Sequence, residues 1–422
     1  ELLKKMISYD QSKKILKKAK IKIKDETIFA ENTLNRVVSD NIYSKINYPA
    51  GDNAAFDGFA VNSIDTNGIK KNSPKQFKII GSIAAGTKLL NKKIKKYDAI
   101  EIMTGSIIPK GFDTIIPIEQ VTFYPNKNNK KYILVNQKIK KFNHVRFSGS
   151  DFKKGEIVVK KNTIIQPNHI LALKTLGIKK IKVKKKINIL FFSTGNEITD
   201  KDNIPKWKVR NSNSHYIKNL KENFLFNFKN GGILRDNHQK IYKSQIKKLI
   251  NSDTDILITS GAVSAGKYDY IPSVVKTFNL SNYFKSVAIR PGKPILFAKI
   301  KEKQKVIFGL PGNPMSSSAC FRFFVIPFME NILGLNEEQP IRATLKNSFS
   351  KKQKFTRFAK SKLSTTKNGK IEVEILQGQE SFRVKSFVKS NIWSLLPAGK
   401  SKFKKGDILD CFFPNHSNQT LI

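Results

Sequence analysis

Cysteine is nearly absent from the 422-residue chain: Cys320 and Cys411 are the only two, and they lie far apart. Such a pair offers neither a disulfide framework nor a CxxC metal knuckle. The five histidines show no metal-ligand spacing, which argues against a zinc site. Long apolar runs are missing as well. The most apolar stretch, 320–333, is cut by Arg322, Pro327, Glu330 and Asn331, well short of the ~18 to 20 residues a membrane span needs. The first twenty residues alternate lysine with short apolar pairs and form no h-region, so no secretory signal is expected. A cytoplasmic protein with no membrane partner is the expectation. Neither a GxSxG elbow nor a GxxxxGKS/T loop occurs, which removes serine-hydrolase and P-loop readings.

Acidic residues are scarce: 32 Asp+Glu stand against 78 Lys+Arg, a net charge of +46. Nucleic-acid binding is the obvious reading of such a charge. However, only nine of the basic residues are arginine, and the lysines are spread over the whole chain among abundant Asn and Ile. Phosphate and base readers favour arginine forks and clustered stripes with interleaved aromatics. A uniform Lys/Asn/Ile excess fits an AT-rich coding sequence acting on solvated faces, and no nucleic-acid partner is expected. With 39% hydrophobic and 26% charged residues, the chain is globular in balance, and its length suggests roughly three domains.

The periodicity divides the chain. Residues 1–45 read as helical, with Ile7, Ile15 and Leu16 on one face and a second helix marked by Leu34, Val37 and Val38. Residues 46–141 form a β-rich module of short strands, such as 77–80, 99–103 and 132–135, with a turn over 124–130. Residues 142–184 return to helix around 170–176, then to a strand at 181–183, and join 1–45 as a discontinuous helical linker domain. Buried-strand runs at 187–192, 255–259 and 305–308 each lead into a glycine-containing loop. Helical periods fit between them, at Tyr216, Ile217, Leu220 and Phe224 and again at Tyr242, Ile246, Leu249 and Ile250, and a long amphipathic helix follows residue 314. Strand, loop and helix in repetition predict a doubly wound α/β domain over 185–336, with its site at the strand carboxyl ends. Beyond 337 the helices stop, and short strands predict a C-terminal β-module over 337–422.

The chemistry gathers in the loops. Ser193, Thr194, Gly195, Asn196 and Glu197 place small donors and one carboxylate just past a strand. The run SGAVSAG at 260–266, including Ser260, Gly261, Ser264 and Gly266, lets backbone approach an anion closely, and Asp269 follows. GLPGNP at 309–314, with Gly312 and Asn313, opens a helix whose first turn offers Ser316. Any one such loop is ordinary punctuation; three on one sheet edge point to a site. IRPGKP at 289–294 sets Arg290 and Lys293 around a stiff Pro-Gly turn closed by Pro294, a clamp suited to a tetrahedral oxyanion or phosphate. Asp57, Asp151, Glu197, Asp236 and Asp269 all border glycine or strand-end loops. One or two such carboxylates plus substrate phosphate is the usual Mg²⁺ arrangement, although each alone also suits a cap or solvated loop.

Together these motifs resemble one family, the molybdopterin molybdenumtransferases of the MoeA and gephyrin E-domain group. DNAAFDGFA at 52–60 resembles the family's DNSAMDGYA, and IMTGS at 102–106 with Pro109 resembles IMTGAxxP. STGNE at 193–197 resembles STGDE, and 260–269 resembles SGGVSxGxxD. RPGKP at 290–294 and GLPGNP at 309–314 are close to the family form, and Arg357 and 377–381 resemble its terminal module. Asn196 replaces an Asp, Ala262 a Gly, and Ser150 stands where a Glu precedes Asp151.

The resemblance implies insertion of molybdate into adenylylated molybdopterin with release of AMP, assisted by Mg²⁺. It implies oxyanion donors Arg290, Lys293 and Ser316, with Arg357 and Ser381 nearby. Glu197, Asp236 and Asp269 would manage Mg²⁺ and the phosphates, the metal resting on Glu197 and Asp269. Asp57 and Thr104 match functional positions in the β-rich module. Asp151, Ser193, Thr194, Gly195, Ser260, Gly261, Ser264, Gly266, Pro294, Gly312 and Asn313 would line the substrate path. Homodimers are implied, with the β-rich module of one subunit facing the α/β domain of the other. Transient contacts with the molybdopterin adenylyltransferase and acceptor molybdoenzymes are implied as well. A molybdopterin adenylyltransferase is the enzymatic alternative; a non-catalytic scaffold or basic nucleic-acid binder is the alternative of another class.

Overall fold

The computed structural model describes residues 6–87, 93–220, 226–263 and 269–414. The chain divides into two compact units: 1–40 with 161–167 and 182–422, and 41–160 with 168–181.

The first unit centres on a six-stranded sheet. Its strands run in the order Phe226–Leu234, Ile187–Thr194, Ile256–Ser260, Val306–Leu310, Leu296–Ile300, Leu280–Lys285. The first four are parallel, and the last two are added antiparallel. Parallel strands covered on both faces read as continuous apolar runs, and Ile256–Ser260 and Val306–Leu310 are buried at every position. One sheet face packs Phe297, Phe308 and Phe328 together, with centroids 4.9–5.7 Å apart. The other packs Tyr242, Ile246 and Leu249 of the helix Gln239–Ile250 against Leu257 and Ile307. The expected long helix after residue 314 is present, with a π turn at Phe321–Val325 between Pro314–Cys320 and Ile326–Leu333.

The C-terminal strands close on themselves. Thr356–Thr365 pairs with both Ile371–Ile375 and Ile392–Leu396, and the circuit returns through Ile341–Leu345 and Ile408–Phe412. Closure into a five-stranded barrel leaves the start of Thr356–Thr365 uncovered on one side. The two-residue strand Ile289–Arg290 adds to the outside of Thr356–Thr365, parallel to it. One helix occurs here, Val384–Lys389, where the sequence had suggested strands only. Six residues with a single buried side chain, Ser386, carry too little periodicity to announce a helix.

The second unit holds a mixed sheet in the order Thr114–Pro117, Gly58–Val61, Asp98–Ile102, Lys75–Ile83, Asn129–Val135, Thr122–Asn126. The turn expected over 124–130 tightens to Asn126–Asn129, where Asn126 Oδ1 accepts from the amides of Asn128 and Asn129.

The N-terminal region is less helical than its sequence suggests. Tyr9–Lys18 is a helix, capped by reciprocal bonds between Ser8 and Gln11. The second helix is a correction: Asp25–Phe29 is a strand, Ala30–Asn32 a single 3₁₀ turn, and Ile42–Tyr43 a strand. Val37 and Val38 are buried and extended, bridging to Ile164 and Val183. β-branched neighbours suit that pairing, and tertiary partners outweigh a weak local period. Among the described residues, no helix is long and apolar enough to cross a membrane.

Candidate functional site

Three loops leave adjacent parallel strands at one edge of the central sheet. Ser193 is in register with Ser260, and Ser260 with Leu310, so the loops beginning there stand side by side. Gly261 N donates to Leu310 O at 2.8 Å. At φ +106°, a Cβ on Gly261 would fall 2.5 Å from both Thr194 O and Oγ1, so only glycine fits. The hydroxyls at this edge bind the loops to each other. Ser193 Oγ donates to Asn211 Oδ1 at 2.6 Å, Thr194 Oγ1 to Ser260 O at 2.9 Å, and Ser260 Oγ to Pro311 O at 3.2 Å. Asn213 Nδ2 bridges Ser260 Oγ at 2.7 Å and Gly312 O at 2.8 Å. The edge is thereby rigid, and a ligand here would meet backbone more than side-chain hydroxyl.

The carboxylates stand at the same edge. Gly195, at φ +136°, leaves its Cβ position to Glu197, whose Oε2 would be 2.4 Å from such an atom. Arg235 Nη1 gathers the carbonyls of Gly195, Asn196 and Ile198 at 3.0, 3.3 and 2.8 Å, and Lys208 Nζ also donates to Asn196 O. Asn196 Oδ1 accepts from Asp236 N at 3.2 Å, tying two loops together. Ile271 N donates to Ala262 O at 3.3 Å, which ties the segment carrying Asp269 to the loop after Ser260, and burial and then the charge of Asp236 push the Tyr270 hydroxyl up to about 12. Among the described residues, no three metal-ligating side chains converge. A Mg²⁺ held by one or two carboxylates and completed by substrate phosphate and water needs no such triad, so Glu197 and Asp269 fit it in kind. Ser264 and Gly266 lie outside the described residues.

A concentration of cations lies beside the barrel. Arg290, Lys351, Lys352, Phe355 and Arg357 line a cleft of about 110 Å³. Arg290 and Arg357 are register partners, and Arg290 stacks over the Phe355 ring at 4.9 Å. Arg357 Nη2 donates to Gln379 O at 2.9 Å, while its Nε is buried without a hydrogen-bond partner. Burial and then Arg290 lower the Arg357 pKa, with Glu380 opposing. Burial and then Arg357 lower that of Lys351, whose Nζ donates to Phe355 O at 2.7 Å. Lys293 is exposed and Pro294 half-buried in the adjoining turn. Ser316 is buried, its carbonyl 3.5 Å from the Cβ position of Gly292. Asn313 Nδ2 donates to Ser381 Oγ at 3.0 Å, and Met315 N to Ser381 O at 3.3 Å, which joins that helix start to the barrel loop.

In the second unit, Thr104 donates to Asp57 Oδ1 twice, from N at 2.6 Å and from Oγ1 at 2.7 Å. These bonds, the amide's first, hold the Asp57 pKa below its ordinary value. Asp151 is exposed, and its amide donates to Tyr48 O at 3.1 Å.

Sequence reasoning missed Lys351, Lys352, Arg235, Asn211 and Asn213. Rarity could have singled out Arg235, as it did Arg290. The others are hidden in a chain rich in lysine and asparagine.

Three family models match in succession: MoeA N-terminal region (domain I and II) over 7–177, probable molybdopterin binding domain over 191–331, and MoeA C-terminal region (domain IV) over 342–411. The chain is similar to the molybdopterin molybdenumtransferase of Staphylococcus aureus strain COL, 32% identical over 389 residues, covering 91% of this chain and 90% of the relative. That of Staphylococcus epidermidis is 31% identical over 410 residues, covering 96% and 94%. Among solved structures, the molybdopterin biosynthesis MoeA protein of Pyrococcus horikoshii superposes with TM-score 0.83 at 28% identity, covering 98% of this chain and 100% of that one. A molybdenum cofactor biosynthesis protein of Pyrococcus furiosus, TM-score 0.57 at 17% identity over 96% of this chain and 99% of that one, shares the fold.

Proposed function

The chain belongs to the MoeA family of molybdopterin molybdenumtransferases, and from that premise we propose that it inserts molybdate into adenylylated molybdopterin with release of AMP. The observation that carries this reading is the cation cleft. Two register-paired arginines and two lysines share it, and one guanidinium keeps a buried N–H unpartnered. A tetrahedral dianion would satisfy that donor and relieve the repulsion among the cations. The three loops of the sheet edge supply the close backbone approach that phosphates favour.

In this proposal Arg290, Lys293, Ser316, Arg357 and Ser381 take molybdate, and the loops at 193–197, 260–263 and 309–314 take the pterin and nucleotide. Glu197 and Asp269 would hold Mg²⁺, with Asp236 near them; when bound, the ion would neutralise charge on the nucleotide phosphates. Asp57 and Thr104 act as one hydrogen-bonded pair. A homodimer, with transient contacts to the adenylyltransferase and to acceptor molybdoenzymes, completes the proposal, and light scattering of the purified chain tests the dimer.

Assaying the two half-reactions separately tests the function. AMP release from adenylylated molybdopterin that depends on molybdate is the expected result. Adenylylation of molybdopterin from ATP, with no molybdate-dependent AMP release, would replace the reading with the adenylyltransferase one.

A further inference from the structure

The barrel strand Thr356–Thr365 carries Arg357 to the cation cleft and, three residues on, a second cation in a different setting. Lys360 is 2% exposed. Its ammonium donates to three carbonyls of one loop: Gly378 O at 2.7 Å, Glu380 O at 3.2 Å and Arg383 O at 2.9 Å. An ammonium has three N–H donors and no acceptor, so the set satisfies it completely. The Lys360 main chain grips the same loop. Lys360 N donates to Gln379 Oε1 at 3.0 Å, and Gln379 Nε2 returns a bond to Lys360 O at 2.8 Å. The loop wrapped in this way supplies both the Gln379 carbonyl that holds Arg357 and Ser381, which accepts from Asn313.

We propose that Lys360 is a positioning residue for the oxyanion site: its ammonium fixes the 377–383 loop, and through it Ser381 and the Arg357 guanidinium, and loss of its proton loosens that hold. The inference rests on the reading of the cleft as the molybdate site. A neutral amine has two N–H donors and a lone pair, so at least one of the three carbonyls loses its partner and faces that lone pair. Glu380 O, the longest of the three bonds and adjacent to Ser381, is the one that lets go. Burial is the main influence on the ammonium. The Glu380 carboxylate opposes it, Arg357 and Arg383 add to it, and together they bring the Lys360 pKa down to about 8.

Trp393 is the register partner of Lys360, is buried, and lies 5.4 Å from the Phe387 ring. The chain has two tryptophans, so in Trp207→Phe excitation at wavelengths tyrosine does not absorb reports on Trp393 alone. With no substrate present, its emission between pH ~6.5 and ~9.5 should pass through a transition centred near 8, and Lys360→Arg, charged throughout, should abolish it. In the assay, the molybdate concentration for half-maximal rate should rise about fivefold or more from pH ~7 to ~9 in the parent protein and stay flat in Lys360→Arg. The kcat at saturating molybdate and the KM for adenylylated pterin should be unchanged by that substitution. Lys360→Met should show the high-pH behaviour at neutral pH; if it does not fold, Lys360→Arg alone decides. Emission without a transition, the same midpoint in Lys360→Arg, or molybdate use that does not follow the emission would overturn the proposal. A protein that releases no AMP would defeat the functional reading instead, while the emission titration would still decide whether Lys360 holds the loop.

Discussion

Arg290 and Arg357 face each other as register partners across two parallel strands, so two of the chain's nine arginines are locked side by side. Like charges at that spacing repel, and the lowered Arg357 pKa records it, although burial is the larger cause. Aromatic faces offset part of the cost: Phe355 lies under Arg290 at 4.9 Å and Phe349 under Arg357 at 5.7 Å. Neither ring brings negative charge into the cleft. A bound dianion would offset half of the four positive charges and relieve the repulsion among them.

Replacing Arg357 with Met should therefore raise the molybdate concentration needed for half-maximal rate by tenfold or more, since a charge-assisted bond contributes ~1.5–3 kcal/mol. Arg290→Ala should do the same, and pterin affinity should hold in both. The Lys351 pKa should move up in Arg357→Met, because Arg357 is one of its two depressing influences. Molybdate titrations and NMR of the lysine side chain check the two effects. Unchanged molybdate dependence would return the cleft to a surface role.

Much of this was legible in the residues. Apolar runs ending in glycine loops place the sheet edge, because parallel strands buried on both faces cannot hide their composition. Arg290 was visible because arginine is rare here. Lys351 and Lys360 were not, since one lysine among sixty-nine (78 Lys+Arg less nine Arg) gives no signal until the fold buries it, as with Lys360, or sets it beside an arginine, as with Lys351. The helix expected through Val37 and Val38 failed for a related reason. Their partners, Ile164 and Val183, lie more than a hundred residues away, and no local period encodes that pairing.

Asp269→Asn should raise the Mg²⁺ concentration required for AMP release. The reasoning is that a hard cation held mostly by substrate phosphate depends on each protein carboxylate it has. Rate against Mg²⁺ at fixed pterin is the measurement. A mutant with the parent's Mg²⁺ dependence would remove Asp269 from the metal.

Two neighbours should respond oppositely to exchange between glycine and alanine. Gly261→Ala places a Cβ 2.5 Å from Thr194 O at φ +106°, and should destabilise by ~2 kcal/mol or more. Ala262 already sits at φ +53°, a left-handed conformation that glycine adopts at less cost. Ala262→Gly relieves ~1–2 kcal/mol of left-handed strain against ~0.4–1 kcal/mol of added unfolded-state entropy. A net change between about zero and a gain of ~1.6 kcal/mol follows. Urea midpoints of both variants check the signs.

The Asp57–Thr104 pair gives a pH dependence with a definite sign. Both bonds favour the carboxylate, so its folded pKa lies below the ordinary 3.8. A depressed acid contributes stability above its unfolded pKa and loses it as pH falls through the folded value. Thr104→Val keeps the amide donor and removes the hydroxyl, so the Asp57 midpoint should move partway back up. The mutant should be the less stable of the two at neutral pH, and the gap should narrow as both carboxyls become protonated in acid. Carboxyl carbon NMR gives the midpoints, and urea melts at neutral and acid pH give the gap. If Asp57 and Thr104 also act as a unit in catalysis, Thr104→Val and Asp57→Asn should each lower kcat, and the double variant should lose little more than Asp57→Asn alone. Additive losses would mean that the two residues serve the reaction separately and that their bond is only structural.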